Sequence, residues 1–423
     1  MSKIHNLEVD IAIIGGGPSG LAAAYSARQN GAESVLIIER GDRLGGILNQ
    51  CIHSGFGLHN FKSELTGPEY AHRYIEMVES EKIDIMLNTM ATNLTKDREI
   101  TAINEDGIYK ITAKSVILST GCRERPSGAI NIFGDRAVGV YTAGLAQKFC
   151  NIDGFLVGRE IVILGSGDIG LIMARRMILE GAKVKAVVEI MPHSGGLARN
   201  IVQCVEDFDI PFYFSHTVTK THGKARLERV TVAKVDEKLN PIDGTEFDID
   251  CDALLLSVGL IPENELAQMA GVALSQITNG AVVDNTFATN IEGIYACGNA
   301  LHVHDLVDFV SIESEAAGKA AAEYVKTQKN NENNAEIVGQ NGVRYVVPHK
   351  IDSRKIDEDL TLRFRVGDVY KDRSIGIYAD GKLVKTKKCM ILTPGEMETI
   401  VLKHSEMIPF AGFESLTLKV EEA

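Results

Sequence analysis

The chain has 423 residues, of which 24% are charged and 45% are hydrophobic, and its formal net charge is −13. This length is enough for about two or three domains with well-buried cores, and the acidic balance argues against nucleic acid or an anionic membrane as a partner. The chain opens on polar residues and holds no apolar stretch long enough to cross a bilayer, so we expect neither a signal peptide nor membrane insertion.

The first predicted element is an apolar strand that runs directly into a glycine-rich turn. Residues 9–14 read VDIAII and continue into G-x-G-x-x-G from Gly15 to Gly20, and a second apolar run at 35–38 ends at Glu39. The glycines allow a tight turn, a close approach of the backbone to a pyrophosphate and close packing of the following helix. A carboxylate that ends the second strand accepts hydrogen bonds from a ribose. This unit therefore predicts a dinucleotide site.

The same signature occurs a second time further along the chain. After an expected hairpin at 99–113 and a buried strand at 115–118, residues 160–164 (EIVIL) run into Gly165 to Gly170, and residues 184–188 end at Glu189. Each copy has its strand, its helix and its terminal carboxylate, which makes the pattern far more specific than an isolated G-x-G-x-x-G. Two dinucleotides in one chain indicate electron transfer between them.

The remaining elements return to the first domain and end in a β region. We expect a β meander at 211–233, a buried strand at 253–258, a strand and turn at 293–299 and an alanine-rich helix at 306–325. The stretch 326–342, rich in Asn, Gln, Lys and Glu, has the composition of a linker. Beyond it, apolar and polar residues alternate, which is typical of a small antiparallel β domain with one polar face. That domain serves docking, dimerisation or capping.

The predicted fold is α/β, with two Rossmann-like three-layer ββα dinucleotide-binding domains and a small C-terminal antiparallel β domain. The second dinucleotide domain is inserted in the first. The predicted boundaries are 1–143 and 263–327 for the first domain, 144–262 for the second, 328–342 for the linker and 343–423 for the β domain.

Four separated motifs resemble the two-dinucleotide flavoproteins of the pyridine nucleotide-disulfide oxidoreductase superfamily, in its thioredoxin reductase-like branch. They are Gly15 to Gly20, residues 119–121 (STG), Gly165 to Gly170 and residues 295–299 (YACGN). The resemblance implies FAD in the first domain and NAD(H) in the inserted one. The implied FAD site consists of Gly15, Gly17, Pro18, Ser19, Gly20, Glu39, Arg40, Gly45, Gly46, Gln50, Ala91, Thr120, Gly121, Gly298, Asn299 and Asp308. The implied NAD site consists of Gly165, Gly167, Asp168, Ile169, Gly170, Glu189 and Gly259.

Within this resemblance, three features refine the expected chemistry. Thioredoxin reductases carry C-x-x-C shortly before the second glycine motif, whereas residues 139–145 here read GVYTAGL, which excludes disulfide reduction by that route. Asn299 stands where the family usually has aspartate, and this loss of one negative charge raises the flavin potential by at most roughly 40 mV. Glu189 would repel a 2′-phosphate, so we expect NADH rather than NADPH. The chain has seven cysteines but no C-x-x-C pair, which suits reduced thiols and a cytoplasmic protein.

A closer resemblance involves segments 45–53, 121–126, 165–176 and 302–308. These are similar to the NADH-linked FAD subunits of heteromeric dehydrogenases, which include hydrogen cyanide synthase, opine oxidase, proline dehydrogenase and flavoproteins associated with glycerol-3-phosphate dehydrogenase. The resemblance implies hydride transfer between NAD(H) and FAD as an NADH:acceptor oxidoreductase. It also implies a homo- or hetero-oligomer whose partners are a second FAD dehydrogenase subunit and a small cysteine-rich electron-transfer protein.

The candidate catalytic side chains are Cys51 and His304, and each has a structural alternative. Cys51 follows the Gly-Gly turn, where disulfide reductases carry a thiol, but it also suits apolar packing. His302 and His304 follow the Asn299 turn, where they serve as proton relays or as packing and hydrogen-bonding groups. No metal site is expected. Two other functions stay open: a single-cysteine NADH peroxidase or small-disulfide reductase that uses Cys51, and a flavin-loaded assembly or electron-transfer subunit without NADH turnover of its own.

Overall fold

The computed structural model describes residues 3–329 and 332–422, and it confirms the predicted α/β fold. The chain forms two compact units. One contains the residues up to Cys122 together with those from Pro262 onward, and the other is Arg123–Ile261. No helix within the described ranges combines the length and the hydropathy that a membrane crossing requires.

The first unit opens with a mixed sheet and its helices. Its elements up to residue 118 are β1 (Ile4–Ile14), α1 (Pro18–Gln29), β2 (Val35–Ile38), β3 (Ser54–Phe56), β4 (Leu65–Thr66), α2 (Gly67–Ser80), β5 (Asp84–Met86), β6 (Met90–Leu94), β7 (Glu99–Asn104) and β8 (Gly107–Leu118). The order of strands in the sheet is β5-β2-β1-β8-β7-β6. The strands from β5 to β8 in this order pair in parallel, and β8-β7-β6 pair antiparallel. The predicted hairpin is confirmed, with Asn104 opposite Gly107. Its second strand continues without a break into the buried strand expected at 115–118, because β8 spans both.

The second unit contains two sheets. Between residues 122 and 262 the elements are β9 (Cys122–Glu124), β10 (Phe133–Gly134), β11 (Val140–Thr142), α3 (Ala143–Asn151), β12 (Glu160–Leu164), α4 (Asp168–Leu179), β13 (Lys183–Glu189), α5 (Ala198–Cys204), β14 (Phe212–Phe214), β15 (His216–His222), β16 (Arg229–Lys234), β17 (Phe247–Asp250), β18 (Ala253–Leu256) and β19 (Leu260–Pro262). One sheet is parallel and five-stranded, β11-β18-β12-β13-β14, and the other is four-stranded, β10-β15-β16-β17. The meander expected at 211–233 is shifted, since β14 pairs in parallel with the end of β13 and the antiparallel strands extend to Asp250.

The first unit resumes with α6 (Glu265–Met269), β20 (Ile294–Ala296) and the 21-residue helix α7 (Val307–Thr327). Strand β20 pairs in parallel with β8 and so joins the first sheet. Helix α7 packs against α1, where Gly318 permits the close approach: a Cβ at this position would lie 2.3 Å from the carbonyl oxygen of Ala23. The alanine-rich faces of both helices therefore allow them to cover the sheet at short range.

The C-terminal region is a two-sheet β sandwich. Its elements are β21 (Ala335–Gln340), β22 (Val343–Val347), β23 (Lys350–Ile351), β24 (Leu360–Val366), β25 (Tyr370–Ala379), β26 (Lys382–Leu392), β27 (Glu398–Leu402), α8 (His404–Met407) and β28 (Ser415–Glu422). The sheets are β23-β21-β28-β25-β26 and β22-β24-β27, and they enclose a separate apolar core.

Two expectations about this region are wrong. Residues 335–340 belong to strand β21 rather than to a linker, because Ala335 and Ile337 are buried in the sandwich core. The domain is also not purely antiparallel, since β21 pairs in parallel with β28. The polar composition of the stretch from 326 to 342 concealed the two apolar positions that decide its structure.

Candidate dinucleotide sites and the buried cluster behind one of them

The first glycine turn has the geometry that a dinucleotide requires. Gly15 has φ +113°, and a Cβ there would lie 2.4 Å from the carbonyl oxygen of Ser119. A Cβ at Gly20 would lie 1.8 Å from the carbonyl oxygen of Gly15, so helix α1 packs closer to the turn than any side chain would permit. Helix α1 begins after Gly17, and no side chain within the described ranges caps it. Its first-turn N–H groups suit a pyrophosphate.

A second glycine pair completes this cradle. The N–H of Gly45 donates to the carbonyl oxygen of Gly16 at 2.9 Å, and a Cβ at Gly46 would lie only 3.0 Å from the Cα of Gly17. The two glycine turns thus contact each other through backbone atoms, and their glycines carry no side chain that would keep a phosphate at a distance. Gln50 ends the short 3₁₀ helix that follows, and Arg40 is exposed beside the cradle. The arrangement fits the FAD that the resemblance implies.

Both terminal carboxylates bind their own glycine turn in the same way. Glu39 accepts from the N–H of Gly16 at 2.7 Å and from that of Gly41 at 2.6 Å. In the second unit, Glu189 accepts from the N–H of Ser166 at 2.8 Å and from that of Met191 at 2.8 Å. In each unit the carboxylate lies 23 residues after the turn residue that it binds. The two predicted ribose-binding carboxylates are therefore held rigidly beside their turns.

The second turn is also tied to a following loop. Ser166 accepts through Oγ from the N–H of Gly195 at 2.8 Å, and Asp168 accepts from the N–H of Leu197 at 2.8 Å and from the amide of Asn200 at 2.6 Å. Asp168, predicted to contact NAD, therefore orders the loop at 195–200. The N–H of Gly170 donates to Oγ of Ser257 at 3.1 Å. The other predicted NAD residues lie in the turn, at the start of α4 or after the neighbouring strand: Gly165 (φ +92°), the N-cap Gly167, the partly buried Ile169 and Gly259 (φ +102°).

Several predicted FAD residues make contacts within the protein. Asp308, buried at the start of α7, accepts from the backbone N–H groups of Gly57, His59 and Asn60 at 2.9–3.1 Å. Ser19, next to Pro18 at the start of α1, is buried, and its hydroxyl lies 2.8 Å from that of Ser314. Asp308 and Ser19 therefore hold segments of the predicted FAD site together through contacts within the protein.

Two further segments of the predicted FAD site also have defined positions. Thr120 donates to the carbonyl oxygen of Glu263 at 2.6 Å, and the carbonyl oxygen of Gly121 accepts from the N–H of Glu263 at 3.0 Å. Ala91 lies in β6, which is a separate strand because β5 ends at Met86 and the chain turns before Met90. Thr89, two residues earlier, donates through its N–H to the carbonyl oxygen of Glu39 at 2.9 Å, and Ala91 itself pairs with Ala102 of β7.

A buried polar cluster lies behind the Gly298–Asn299 turn. Glu313, on helix α7, accepts from the N–H of Gly298 at 3.0 Å through Oε1. Its Oε2 is 2.8 Å from Nε2 of His302 and 3.3 Å from Nε2 of His304. Asn299 accepts through Oδ1 from the N–H of His304 at 3.1 Å. The three titratable side chains of this cluster are at most 1% exposed.

The electrostatics of the cluster favour an anionic Glu313 and a neutral His302. Burial alone raises the pKa of Glu313, but the two histidines lower it, and the net result is well below the usual value. Burial lowers the pKa of His302 to about 4, although Glu313 acts in the opposite direction. His304, a candidate for catalysis, is part of this interior network rather than an exposed acid or base.

Burial disfavours the thiolate form of Cys51, the other catalytic candidate. Burial raises its pKa to about 12, and its Sγ lies 3.3 Å from the carbonyl oxygen of Ile47, to which it donates. The thiolate is the nucleophilic form of cysteine, and at neutral pH it accounts for less than about one part in 10⁴ of such a group. The geometry therefore matches the packing alternative for Cys51.

Sequence reasoning did not identify Glu313 as part of a site. The available signal was its position in the alanine-rich helix, where it lies on the same buried face as Val310, Ser314 and Ala317. A carboxylate on a face of small residues needs a buried partner. The helix pattern alone does not indicate which residue supplies it.

These features define the class of the protein: a two-dinucleotide oxidoreductase with a cradle for one dinucleotide in each unit. The family model described as pyridine nucleotide-disulphide oxidoreductase matches residues 9–325, and the chain belongs to that family. It is accordingly an FAD-dependent NAD(P) oxidoreductase, and the predicted cofactors, FAD and a nicotinamide dinucleotide, are confirmed at the level of the family.

The similar proteins span several activities. The mitochondrial dihydrolipoyl dehydrogenase of Bos taurus is 28% identical over 364 residues, which cover 75% of this chain and 68% of the relative. Among solved structures, the thioredoxin reductase of T. acidophilum has a TM-score of 0.62 at 23% identity and covers 76% of this chain and 99% of its own. The L-proline dehydrogenase of P. horikoshii has a TM-score of 0.56 at 20% identity, with 78% and 58% covered. The last two establish a shared fold.

Proposed function

We propose that this protein is an NADH:acceptor oxidoreductase that acts as one subunit of a heteromeric dehydrogenase, such as a glycerol-3-phosphate or amine dehydrogenase complex. The observation that carries the proposal is the lack of a dithiol: residues 139–145 contain no cysteine, and the chain has no C-x-x-C pair. Without a dithiol, electrons that reach the flavin have to leave for a group outside this chain. That group belongs to a partner protein or to a soluble acceptor.

The thiol chemistry of Cys51 does not offer a substitute route. A peroxidase or a small-disulfide reductase needs a thiolate at neutral pH, and burial raises the pKa of Cys51 to about 12. The raised pKa therefore weighs against the alternative that uses this single cysteine.

The chain itself contributes binding and alignment. Bound FAD supplies the chemistry of hydride acceptance, which needs orientation more than acid–base groups. The uncapped N-terminus of α1 and the glycine pair at 45–46 bind phosphate, and Glu189 selects the unphosphorylated ribose of NADH. Helix α7 begins eight residues after Asn299, so its positive N-terminus would favour negative charge on a dinucleotide bound beside that turn.

The proposed partners are a second FAD subunit, which oxidises an amine or glycerol 3-phosphate, and a small cysteine-rich electron-transfer protein. The L-proline dehydrogenase of P. horikoshii, whose fold this chain shares, is a precedent for an amine dehydrogenase with this fold. The proposed complex forms in the cytoplasm, where NADH and reduced thiols are present.

The first test is an anaerobic titration of the FAD-loaded protein with NADH, followed through the flavin absorbance. We expect bleaching at about one equivalent, and reoxidation by ferricyanide but not by hydrogen peroxide, lipoamide or cystine. A flavin that stays oxidised would favour the assembly subunit without NADH turnover. Reoxidation by a disulfide at a rate comparable with ferricyanide would contradict the proposed acceptor.

The heteromeric assembly requires a second experiment. An affinity-tagged chain, isolated from its own cells, should copurify with another FAD-containing chain, and the complex should reduce NAD⁺ in the presence of an amine or glycerol 3-phosphate. Isolation of the chain as a homo-oligomer, with no such activity in the same fractions, would count against the heteromeric role while leaving the NADH reaction intact.

A further inference from the structure

The C-terminal sandwich directs two arginines away from its own core. In β24, Leu362, Phe364 and Val366 are fully buried in the sandwich, so the alternation of the strand places Arg363 and Arg365 on its opposite face. The side chain of Arg363 is nevertheless buried and that of Arg365 is largely shielded, with exposures of 6% and 14%. They are covered by residues of the FAD-binding part of the same compact unit.

Arg363 completes the cluster around Glu313. Its guanidinium nitrogen Nη1 is 3.6 Å from Oε2 of Glu313, the oxygen that His302 and His304 also approach. Glu313 in turn accepts from the N–H of Gly298. A residue of the sandwich is thus linked, through one carboxylate, to the backbone of the turn that ends β20.

Arg365 secures the other end of the same segment. It forms an ion pair with Asp305 and donates to the carbonyl oxygen of Val303 at 3.2 Å. The second carboxylate oxygen of Asp305 accepts from the N–H of Met397, also in the sandwich, at 2.6 Å. The segment from Gly298 to Asp305, which we name the Asn299 segment, is therefore held at both ends by the C-terminal domain.

The charged groups around Glu313 fit an internal ion pair better than a metal site. The titratable and charged groups that face Glu313 or its partners are Cys297, His302 and His304 beside β20, Arg363 on β24, and Tyr345 on β22, whose ring lies against His302. Glu313 and Arg363 carry opposite charges, and burial lowers the pKa of His302 to about 4. Two imidazoles and a carboxylate at such distances resemble a metal site, but a divalent cation there would be repelled by the guanidinium next to the shared oxygen.

We propose that the C-terminal sandwich is a positioning domain for FAD: Arg363, through Glu313, and Arg365, through Asp305, hold the Asn299 segment in its binding geometry. The inference rests on FAD binding by this family and on the place of the Asn299 segment in the proposed FAD site. It does not depend on the identity of the electron acceptor. Arg363 and Glu313 are positioning residues, since they act through the backbone of Gly298.

The test compares FAD affinity across pH in variants of the complete protein. FAD is removed, and its rebinding is followed through quenching of its fluorescence between pH 5.5 and 8.5. In Arg363→Met, Glu313 keeps its charge without a counterion, so we expect FAD to bind at least about tenfold more weakly at pH 8. Affinity should recover as the pH falls, because proton uptake by the cluster restores its neutrality. The wild-type profile should be nearly flat.

Two variants serve as controls. Arg354→Met removes an exposed arginine of the same domain, 53% exposed, and should leave the affinity and its pH profile unchanged. The double variant Arg363→Met/Glu313→Gln removes both charges and should regain most of the affinity at pH 8. Should Arg363→Met fail to fold, Glu313→Gln alone leaves Arg363 uncompensated, and we expect the same loss of at least about tenfold.

Unchanged FAD affinity and an unchanged pH profile in Arg363→Met, with only a lower melting temperature, would overturn the proposal in favour of a plain structural cap. Wild-type affinity in Glu313→Gln would overturn it as well. Failure of the proposed NADH reaction can be distinguished from failure of this positioning role. The former is measured as flavin reduction in the wild-type protein, whereas the latter is measured as FAD binding in the absence of NADH.

Discussion

The junction between the C-terminal sandwich and the FAD-binding part should weaken at acid pH through His349. Its ring nitrogen Nδ1 accepts from the backbone N–H of Val283 at 3.2 Å, and the backbone N–H of His349 donates to the carbonyl oxygen of Val283 at 2.9 Å. Burial lowers the pKa of His349 to about 4. Protonation would also place a donor at Nδ1, where the N–H of Val283 needs an acceptor. His349 therefore has to be neutral in the folded protein.

The sign and size of the effect follow from the two pKa values. An unfolded histidine titrates near 6.5, so between pH 6.5 and 4 the unfolded chain binds a proton that the folded chain does not. The stabilising contribution is complete above pH 6.5 and is lost as the pH falls toward 4. From pH 7.5 to pH 5.0, this one group should remove about 2 kcal/mol from the free energy of unfolding.

The assay is urea unfolding of the wild-type protein and His349→Asn at both pH values. Asparagine offers an oxygen near the position of Nδ1 but does not titrate. Between pH 7.5 and pH 5.0, the free energy of unfolding of the variant should therefore fall by about 2 kcal/mol less than that of the wild type. His72→Asn, at a side chain 70% exposed, is the matched control and should behave like the wild type. Equal losses in wild type and His349→Asn would refute the reasoning.

Three further results are expected. Glu189→Ala should lower the NADH-over-NADPH preference in kcat/KM at least about tenfold, because it removes the repulsion of a 2′-phosphate; an unchanged ratio would show that specificity lies elsewhere. Cys51→Ser should keep the NADH–ferricyanide rate within about twofold, since its thiol is protonated at pH 7, and a large loss would revive the thiol mechanism. Gly20→Ala should destabilise the protein by about 3 kcal/mol and release FAD, because its Cβ would lie 1.8 Å from the carbonyl oxygen of Gly15; Gly128→Ala, with open space at its Cβ, should melt like the wild type.

The dinucleotide-binding units were predictable because their signals are local. A strand, a glycine turn and a terminal carboxylate lie within about 30 residues, and the backbone conformation that Gly15 and Gly165 adopt is accessible mainly to glycine. The contacts of Glu39 and Glu189 with their own turns follow the same short-range logic.

The buried cluster was not predictable in the same way. Glu313 and Arg363 are 50 positions apart, and each looks ordinary in its own element: one is a charge in a helix, the other a polar residue in an alternating strand. Their pairing depends on how the sandwich packs against α7 and its preceding segment. Strand β21 was concealed for a related reason, since a few apolar residues in a polar stretch form a strand where β28 and β23 provide hydrogen-bond partners.

The carboxylate contacts of Glu39 and Glu189 also bear on how quickly a dinucleotide can enter and leave. Each glycine turn is already ordered by the protein's own hydrogen bonds, so its conformational entropy is lost during folding rather than at the moment of association. Encounter then needs no closing of a flexible loop around the phosphates, and the rate should approach that of docking two rigid bodies. A nicotinamide dinucleotide, which is exchanged at every turnover, gains rapid entry from this order. A flavin gains a longer residence, because the entropy already lost during folding also makes its binding tighter.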